Sequence, residues 1–345
     1  MTGLVRALRE YDGPPVRLME VCGTHTASIA QNGIRSLLPP SIRLVSGPGC
    51  PVCVTVTAYL DRLIALSRRP DTVVVSFGDL LRVPGSRESL ADAKAAGGQV
   101  QMVYSPMDLL RLAKEKPGRI FVFAAVGFET TAPVYAMLLK RAKEEKLENI
   151  RLLTSLKTMP PVIDWVCRQG TVDGFLAPGH VSVVTGSRIF EPLAAQYRLP
   201  FAVAGFSGET ILAALCTLVK YQGQGRVVNL YPSVVTGEGN RRAQAAVEEC
   251  FVPCDAAWRG IGVITGSGLQ LREEYRAYDA GSDGLLEDRE ANPACRCAQV
   301  LMGELLPGGC PLFGAVCTPN TPQGACMVST EGSCYHAFLN GGGSR

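Results

Sequence analysis

The chain has 345 residues, of which 47% are hydrophobic and 19% are charged, a composition typical of a globular protein rather than a disordered or fibrous one. The 34 Lys and Arg residues against 31 Asp and Glu residues leave a net charge of +3, which excludes charge as a reason to expect a nucleic-acid or anionic-membrane partner. Charges interrupt the N-terminal segment and every apolar run is shorter than a membrane span, so we expect a cytoplasmic protein.

Short β-branched runs alternate with helical segments between residues 16 and 265, and this alternation predicts a parallel α/β fold. Several runs are almost continuously apolar, as strands buried on both faces of a sheet are. The predicted strands cover residues 17–21, 42–46, 72–77, 100–104, 120–126, 150–155, 174–177, 201–204, 227–231 and 261–265. The predicted helices include residues 54–69, 107–116, 131–146, 210–222 and 239–250.

An internal similarity predicts the domain organisation. The segments that start at Phe121 and Phe201 share an apolar strand, a Gly-Phe pair and a Glu-Thr pair before an apolar helix, although one such match also arises by chance. We therefore predict two similar parallel-sheet α/β domains, over residues 1–138 and 139–255. Residues 256–345 form a predicted small domain rich in Cys, Pro and Gly. Because such a sequence is expected to bury little apolar surface, we expect a covalent or metal centre to stabilise this domain.

Six of the 13 Cys residues lie in this last domain, with the spacing C-x-C-x12-C-x6-C-x8-C-x7-C. In a reducing compartment such thiols favour metal or redox chemistry over a disulfide framework. An almost purely thiolate ligand set favours a [4Fe–4S] cluster, with structural zinc or plain buried thiols as alternatives. A cluster needs four of the six, so two remain as an adjacent redox pair or as structural thiols. The six are Cys295, Cys297, Cys310, Cys317, Cys326 and Cys334.

The motif Cys22-Gly-Thr-His25-Thr follows the first predicted strand. Ligands of open parallel sheets bind at this end of the strands. A helix is predicted to begin near Thr26, which would be its N-cap. Cys22 and His25 could then share one metal ion or activate each other. The structural alternative is that Cys22 is a small core residue.

The motif Gly-Pro-Gly-Cys50-Pro-Val-Cys53 follows the second predicted strand. Cys50 is predicted at the start of the next helix, where the helix dipole favours the thiolate. The C-x-x-C spacing indicates either a redox dithiol or half of a metal site. Because the two motifs follow neighbouring strands, we expect their three thiols and the imidazole of His25 to converge on one cleft.

Two further polar residues follow buried strands. Glu129 and His180 are candidates for partner binding or proton transfer, with a helix cap and a turn histidine as the structural alternatives. No Walker A motif or complete G-x-G-x-x-G motif occurs, so ATP and NAD binding have no sequence support. Four other cysteines are interpreted as structural residues in helical or near-helical apolar segments: Cys167, Cys216, Cys250 and Cys254.

Taken in order, these motifs resemble those of the HypD family of [NiFe]-hydrogenase maturation factors. The resemblance covers nearly the whole chain and includes CGTHT at Cys22, GPGCPVC at Cys50, GFETTAP at Gly127 and PGHV at Pro178. It continues through WRGIG, SGLQL and the C-terminal pattern LFGAVCTPxxPxGACMVSxEGxC.

The resemblance implies a redox-active assembly scaffold rather than a conventional enzyme. Such a scaffold and a small HypC-type chaperone hold Fe(II) while cyanide, delivered through HypE and HypF, and CO are attached. By motif, Cys22 would bind this iron with His25 beside it, and Cys50 and Cys53 would be a redox dithiol. The resemblance further implies a [4Fe–4S] cluster on Cys295, Cys310, Cys317 and Cys334, with Cys297 and Cys326 as the adjacent redox pair.

The alternative from another class is a ferredoxin-dependent thiol–disulfide oxidoreductase, which would use the same cluster and the same C-x-x-C pair. This chemistry has no need for the Cys22-Gly-Thr-His25 motif. A zinc-stabilised interaction protein is a third interpretation and predicts a colourless product.

Overall fold

A computed structural model describes residues 2–289 and 292–341 of the chain. Its strands other than Phe251–Trp258 overlap the predicted ones, and two of them have the predicted bounds. The strands are β1 (Val16–Glu20), β2 (Ile42–Ser46), β3 (Thr72–Ser76), β4 (Val100–Met102), β5 (Ile120–Gly127), β6 (Ile150–Lys157), β7 (Gly174–Ala177), β8 (Phe201–Val203), β9 (Val227–Asn229), β10 (Phe251–Trp258) and β11 (Gly262–Leu271).

Helices connect most of the strands, as parallel pairing requires. The α-helices are α1 (Thr2–Arg9), α2 (Gly23–Gln31), α3 (Ile34–Leu37), α4 (Thr57–Ser67), α5 (Leu90–Ala95), α6 (Asp108–Glu115), α7 (Ala132–Glu144), α8 (Met159–Arg168), α9 (Gly179–Thr185), α10 (Glu191–Tyr197), α11 (Gly208–Lys220), α12 (Arg241–Cys250), α13 (Cys297–Leu301), α14 (Ala325–Val328) and α15 (Ser333–Leu339). Short 3₁₀ turns cover Asp79–Arg82, Ser187–Phe190, Glu273–Tyr278 and Pro307–Gly309. Within the described ranges, no helix has the length and apolar character needed to cross a membrane.

The strands form two sheets. The first is parallel throughout, in the order β2-β1-β7-β8-β9. The second has the order β10-β11-β6-β5-β3-β4, in which β3 to β6 are parallel and β10 and β11 form an antiparallel hairpin at one edge. The predicted α/β class with parallel sheets is confirmed. The hairpin corrects one detail, because β11 is 10 residues long and β10 was not predicted.

The order of strands along the chain differs from their order in the sheets. The first sheet joins β1 and β2 to β7, β8 and β9, so it takes strands from both sides of the predicted boundary at residue 138. The second sheet does the same with β5 and β6. The domain ranges 1–138, 139–255 and 256–345 stay a prediction, and the last of them extends beyond the described residues.

Strand β5 shows why the central strands are so uniformly apolar. Phe121, Phe123 and Ala125 belong to one buried cluster, whereas Val122 and Ala124 belong to the other. Successive side chains of a strand point to opposite faces, so both faces of this sheet are covered. A strand in this position needs apolar residues at every step, and the sequence supplies them.

Residues 292–341, called the tail below, pack closely against both sheets. Val300 and Met327 of the tail belong to the same buried cluster as residues of the first sheet. The Arg17 guanidinium, on β1, donates a hydrogen bond to the carbonyl oxygen of Gly303. The expectation that this segment buries little apolar surface is therefore wrong.

Candidate functional site

The first group of candidate residues lies in the turn between β1 and α2. The helix begins at Gly23, not near Thr26 as predicted, and Cys22 occupies the N-cap position. Burial raises the pKa of the Cys22 thiol to about 12, although the backbone N–H groups of His25 and Thr24 oppose this shift. Cys22 is therefore a neutral buried thiol, which a bound cation would deprotonate.

The imidazole of His25 is fully buried in the same turn. Its Nε2 lies 3.1 Å from the carbonyl oxygen of Gly205 and 3.3 Å from that of Ala204. Both partners only accept, so Nε2 carries the proton and Nδ1 presents a lone pair. In the part of the chain that the structure describes, this Nδ1 is buried without a hydrogen-bond partner. Burial lowers the pKa of His25 to about 4, so the ring is neutral at physiological pH.

Glu20, the last residue of β1, supports the turn from below and was not assigned a role from the sequence. Its Oε1 accepts a 2.6 Å hydrogen bond from the Thr26 hydroxyl, and its Oε2 accepts one of 3.1 Å from the Cys22 N–H. Burial raises the pKa of Glu20 to about 7, against these hydrogen bonds and the positive charge of Arg35. The carboxyl group thus fixes the start of α2 and exchanges its proton near neutral pH.

Cys50 and Cys53 form a disulfide and are both buried. The pair lies in a turn that precedes α4, and the helix starts only at Thr57. The prediction that Cys50 occupies a helix N-terminus is therefore wrong. The Cys53 N–H instead donates to Cys50 Sγ over 3.1 Å, a local contact within the turn.

The loops that carry the two motifs are in direct contact, as the pairing of β1 with β2 predicts. The Gly23 N–H donates to the Gly49 carbonyl oxygen over 3.1 Å. A Cβ atom on Gly49 would lie 2.2 Å from the backbone nitrogen of Cys22, so only glycine permits this approach. The Gly-Pro-Gly segment therefore brings the Cys50–Cys53 turn against the Cys22 turn.

The tail adds a further carboxyl group to this region. A Cβ atom on Gly23 would lie 2.3 Å from Cβ of Glu331, so the two chain segments touch. The charge of Glu331 contributes to the raised pKa of Cys22. Burial, with a smaller effect of Asp79, raises the pKa of Glu331 itself to about 7. Glu331 belongs to the C-terminal pattern VSxEGxC, and the sequence alone predicted no role for it.

His180 reaches the same region through an aromatic contact. The ring of Phe206 lies 4.9 Å from the ring of His25 and 4.2 Å from that of His180, measured between centroids. His180 is exposed at the start of α9, whereas His25 is buried. Phe206 therefore links the buried imidazole to an imidazole at the surface.

Glu129 has a structural partner in the second sheet. Its Oε1 accepts a 2.8 Å hydrogen bond from the N–H of Met159, the first residue of α8. Burial raises the pKa of Glu129 to about 7. Glu129 thus caps a helix, as the structural alternative predicted. The capped helix is α8, however, and not α7, which follows Glu129 in the chain.

The six tail cysteines converge. All six line one cavity of about 10 Å³, together with Phe313, Gly324 and Met327. Hydrogen bonds to the thiols of Cys297 and Cys334, together with burial, raise the pKa of Cys326. Among the described residues, no three His, Cys, Asp or Glu side chains have the spacing of a single-ion site. The tail therefore gathers thiols around a centre without forming a compact tetrahedral site.

The remaining four cysteines are not disulfide-bonded. Cys167 and Cys216 lie in α8 and α11, and Cys250 ends α12, as the structural interpretation expects. Cys254 differs, because it lies in the middle of β10 and not in a near-helical segment. It is only partly buried.

The chain matches a family of known proteins over almost its whole length. The family model named HypD, described as "Hydrogenase formation hypA family", matches residues 1–341. The chain belongs to the HypD family. It is 42% identical over 348 residues to the hydrogenase maturation factor HypD of Rhizobium leguminosarum bv. viciae, a match that covers 97% of this chain and 89% of the relative.

Two other HypD relatives are similar to the same extent. The hydrogenase maturation factor HypD1 of Bradyrhizobium diazoefficiens is 41% identical over 332 residues, which cover 92% of this chain and 87% of that protein. The hydrogenase maturation factor HypD of Escherichia coli (strain K12) is 41% identical over 327 residues, which cover 93% and 88%. Membership of the HypD family gives this chain a role in hydrogenase maturation.

Proposed function

We propose that this HypD chain binds iron at the Cys22 turn and is the scaffold on which that iron receives its cyanide and carbonyl ligands. One observation carries the proposal. A free buried thiol at Cys22 lies three residues before His25, whose Nδ1 is buried without a partner in the described chain. A soft thiolate and an imidazole nitrogen are suitable ligands for Fe(II).

Proton transfer near neutral pH supports this role. Iron binding releases the proton of Cys22, because the thiolate is the form that binds metal. Glu20 accepts a hydrogen bond from the Cys22 N–H, and the Glu331 charge acts on the same thiol. Burial raises the pKa of both carboxyl groups to about 7, so each exchanges a proton in the range where the scaffold would work.

The Cys50–Cys53 disulfide supports a redox role next to the iron. Opening it consumes two electrons and two protons and yields two thiols. The Gly49 contact holds this pair against the Cys22 turn, so a change in the disulfide turn acts on the proposed iron site. We propose that this pair, once opened to the dithiol, supplies two electrons for ligand attachment to the iron and closes again to the disulfide with release of two protons.

The donor chemistry of the tail fits a [4Fe–4S] cluster. Its cavity is lined by six thiols and no charged side chain. The ligands of such a cluster stand further apart than those of one tetrahedral ion, because each binds a different iron. Insertion requires the thiols to separate, since the cavity holds about one water molecule. When bound, the cluster would supply single electrons. We propose Cys295, Cys310, Cys317 and Cys334 as its ligands and Cys297 and Cys326 as the adjacent pair.

The proposed partners follow from the same scheme. A small HypC-type chaperone would share the iron with Cys22, and a HypE-type protein, supplied by HypF, would donate cyanide. Cys22 has no disulfide partner. This leaves its thiol available for an iron shared with another chain.

The test is infrared spectroscopy of the anaerobically purified chain together with the small chaperone. The unsubstituted protein is expected to show Fe–CN and Fe–CO stretching bands, and Cys22→Ser is expected to lose them. Cys216→Ser is the matched control, because Cys216 is also a free thiol but lies on α11 with its sulfur against the Leu4 carbonyl. Undiminished bands in Cys22→Ser would refute the iron-site role.

The disulfide also favours a second candidate, a ferredoxin-dependent thiol–disulfide oxidoreductase. Such an enzyme needs Cys50 and Cys53 but not Cys22. Cys22→Ser would then retain full disulfide reductase activity with a reduced ferredoxin, and no cyanide bands would occur in any preparation. The scaffold proposal predicts cyanide bands in the unsubstituted protein and no full disulfide reductase activity in Cys22→Ser.

A further inference from the structure

A second cavity lies beside the hairpin of the second sheet and opens to solvent at exposed residues such as Asp255 and Asp283. It is a cavity of about 110 Å³, and none of the proposed iron or cluster ligands lines it. Its lining includes Lys157 at the end of β6 and Cys254 on β10. Lys157 is only 2% exposed, which is unusual for a lysine side chain.

The strand register places these two side chains on one face. Cys254 pairs with Gly268 on β11, and Gly268 pairs with Lys157 on β6. Directly paired residues of antiparallel strands share a face, so Lys157 and Cys254 flank a position without a side chain. A Cβ atom on Gly268 would lie 3.0 Å from Cys254 Sγ and 2.8 Å from Cβ of Ala256. Gly268 therefore permits the close approach of Cys254 and Ala256, which both line the cavity.

The ammonium group of Lys157 has no carboxylate partner within ion-pair distance among the described residues. It donates to Ser155 Oγ over 2.8 Å and lies 5.8 Å from the centroid of the Trp258 ring. Burial lowers the pKa of Lys157 to about 7, although Cys254 and Asp288 act weakly in the other direction. A buried cation without a counter-ion is costly, and an anion in the cavity would remove that cost.

The carboxylates near the cavity are engaged elsewhere. Asp283 pairs with Arg276 over 2.5 Å, and Asp255 accepts the N–H of Gly266 over 2.9 Å. Asp288 lies 3.4 Å from Nε of the buried Arg259. None of them forms an ion pair with Lys157, so an anion in the cavity would favour the protonated amine.

We propose that this cavity binds a small trigonal monoanion, a carboxylate or bicarbonate, with Lys157 as its charge partner. The volume is below the roughly 150 Å³ that holds benzene in an engineered cavity, so the ligand has only a few heavy atoms. Asp255 and Asp283 also line the cavity and disfavour anions of higher charge. The proposal is independent of the iron site and of the tail.

The test follows the Lys157 amine by NMR in the full-length protein, with ¹³C at the ε position of lysine. Lys157→Met assigns the signal by its disappearance. In sodium chloride the signal is expected to titrate near neutral pH, and formate at equal ionic strength is expected to raise the midpoint by about one pH unit. The same midpoint in formate and chloride would overturn the proposal. A larger effect of bicarbonate than of formate and acetate would identify bicarbonate as the preferred ion.

Ala256→Val tests whether the ion occupies the cavity. Ala256 lines the cavity, so the two added methyl groups reduce its volume, and the formate response is expected to weaken several-fold while the Lys157 signal remains. Ala96→Val is the matched control, because Ala96 is exposed and does not line the cavity. An unchanged formate response in Ala256→Val would place the anion outside the cavity and overturn the assignment. This variant also keeps the test decisive if Lys157→Met does not fold.

Discussion

Replacing Glu20 by Gln tests the buried carboxyl group under the Cys22 turn. Burial raises the pKa of Glu20 from 4.5 to about 7, so the folded chain holds this proton more tightly than the unfolded chain. The stability that results is fully present below the unfolded pKa and is lost as the pH rises through about 7. Gln cannot ionise, so the variant lacks this loss.

The magnitude follows from the pKa difference. A shift of about 2.5 pH units corresponds to about 3 kcal/mol, most of it between about pH 5 and about pH 8. Urea unfolding across this range is expected to show a shallower decline in the free energy of unfolding for Glu20→Gln than for the unsubstituted chain. Glu10→Gln is the control, because Glu10 is exposed and pairs with Arg6 on α1. If Glu20→Gln and the unsubstituted chain declined equally, the argument from burial would be refuted.

Two further substitutions make separate tests. Gly23→Ala tests the contact between the tail and the Cys22 turn, and Cys317→Ala tests whether that tail thiol is a cluster ligand. Gly23→Ala places a methyl group 2.3 Å from Glu331 Cβ, so we expect the free energy of unfolding in urea to fall by about 1–3 kcal/mol. Gly3→Ala is the control and should not destabilise the protein, because a Cβ atom there meets nothing within 4 Å. Equal effects of the two substitutions would contradict the contact. Cys317→Ala is expected to lose the broad absorption near about 400 nm of anaerobically reconstituted protein, which Cys167→Ala should retain; full absorption in the Cys317 variant would remove it from the ligand set.

Strand positions were predictable from the sequence, but the division into sheets was not. Ile42–Ser46 and Gly174–Ala177 have the predicted bounds because each is a short, mainly apolar run that a Gly-Pro or Pro-Gly pair ends. Their membership in one sheet depends on β1 lying between β2 and β7, a long-range pairing that no local pattern encodes. The hairpin was missed because Pro253 and the glycines of β11 weaken the strand pattern, whereas tertiary pairing decides the outcome.

The sequence predicted the thiols of the candidate site but not its buried carboxyl groups. Cys22, Cys50 and Cys53 were found because their spacing carries chemistry, and the pairing of β1 with β2 places them together. Glu20 was missed because a strand-end acid usually lies at the surface. Tertiary contacts bury it, with Thr26 and the Cys22 N–H at the start of α2 and Ser46 at the end of β2. The Glu20-Val-Cys sequence, with an acid two residues before the thiol, is the signal that was available.

The contact of Gly23 with Glu331 makes the Cys22 turn and the tail a thermodynamically linked pair. Any ligand that orders the tail also selects the arrangement in which Glu331 faces the Cys22 turn. The affinity of the turn for its cargo then changes by some factor, and by reciprocity the cargo changes the affinity of the tail for its own ligand by the same factor. A binding experiment at either proposed centre, with the other filled or empty, would therefore measure the same coupling free energy.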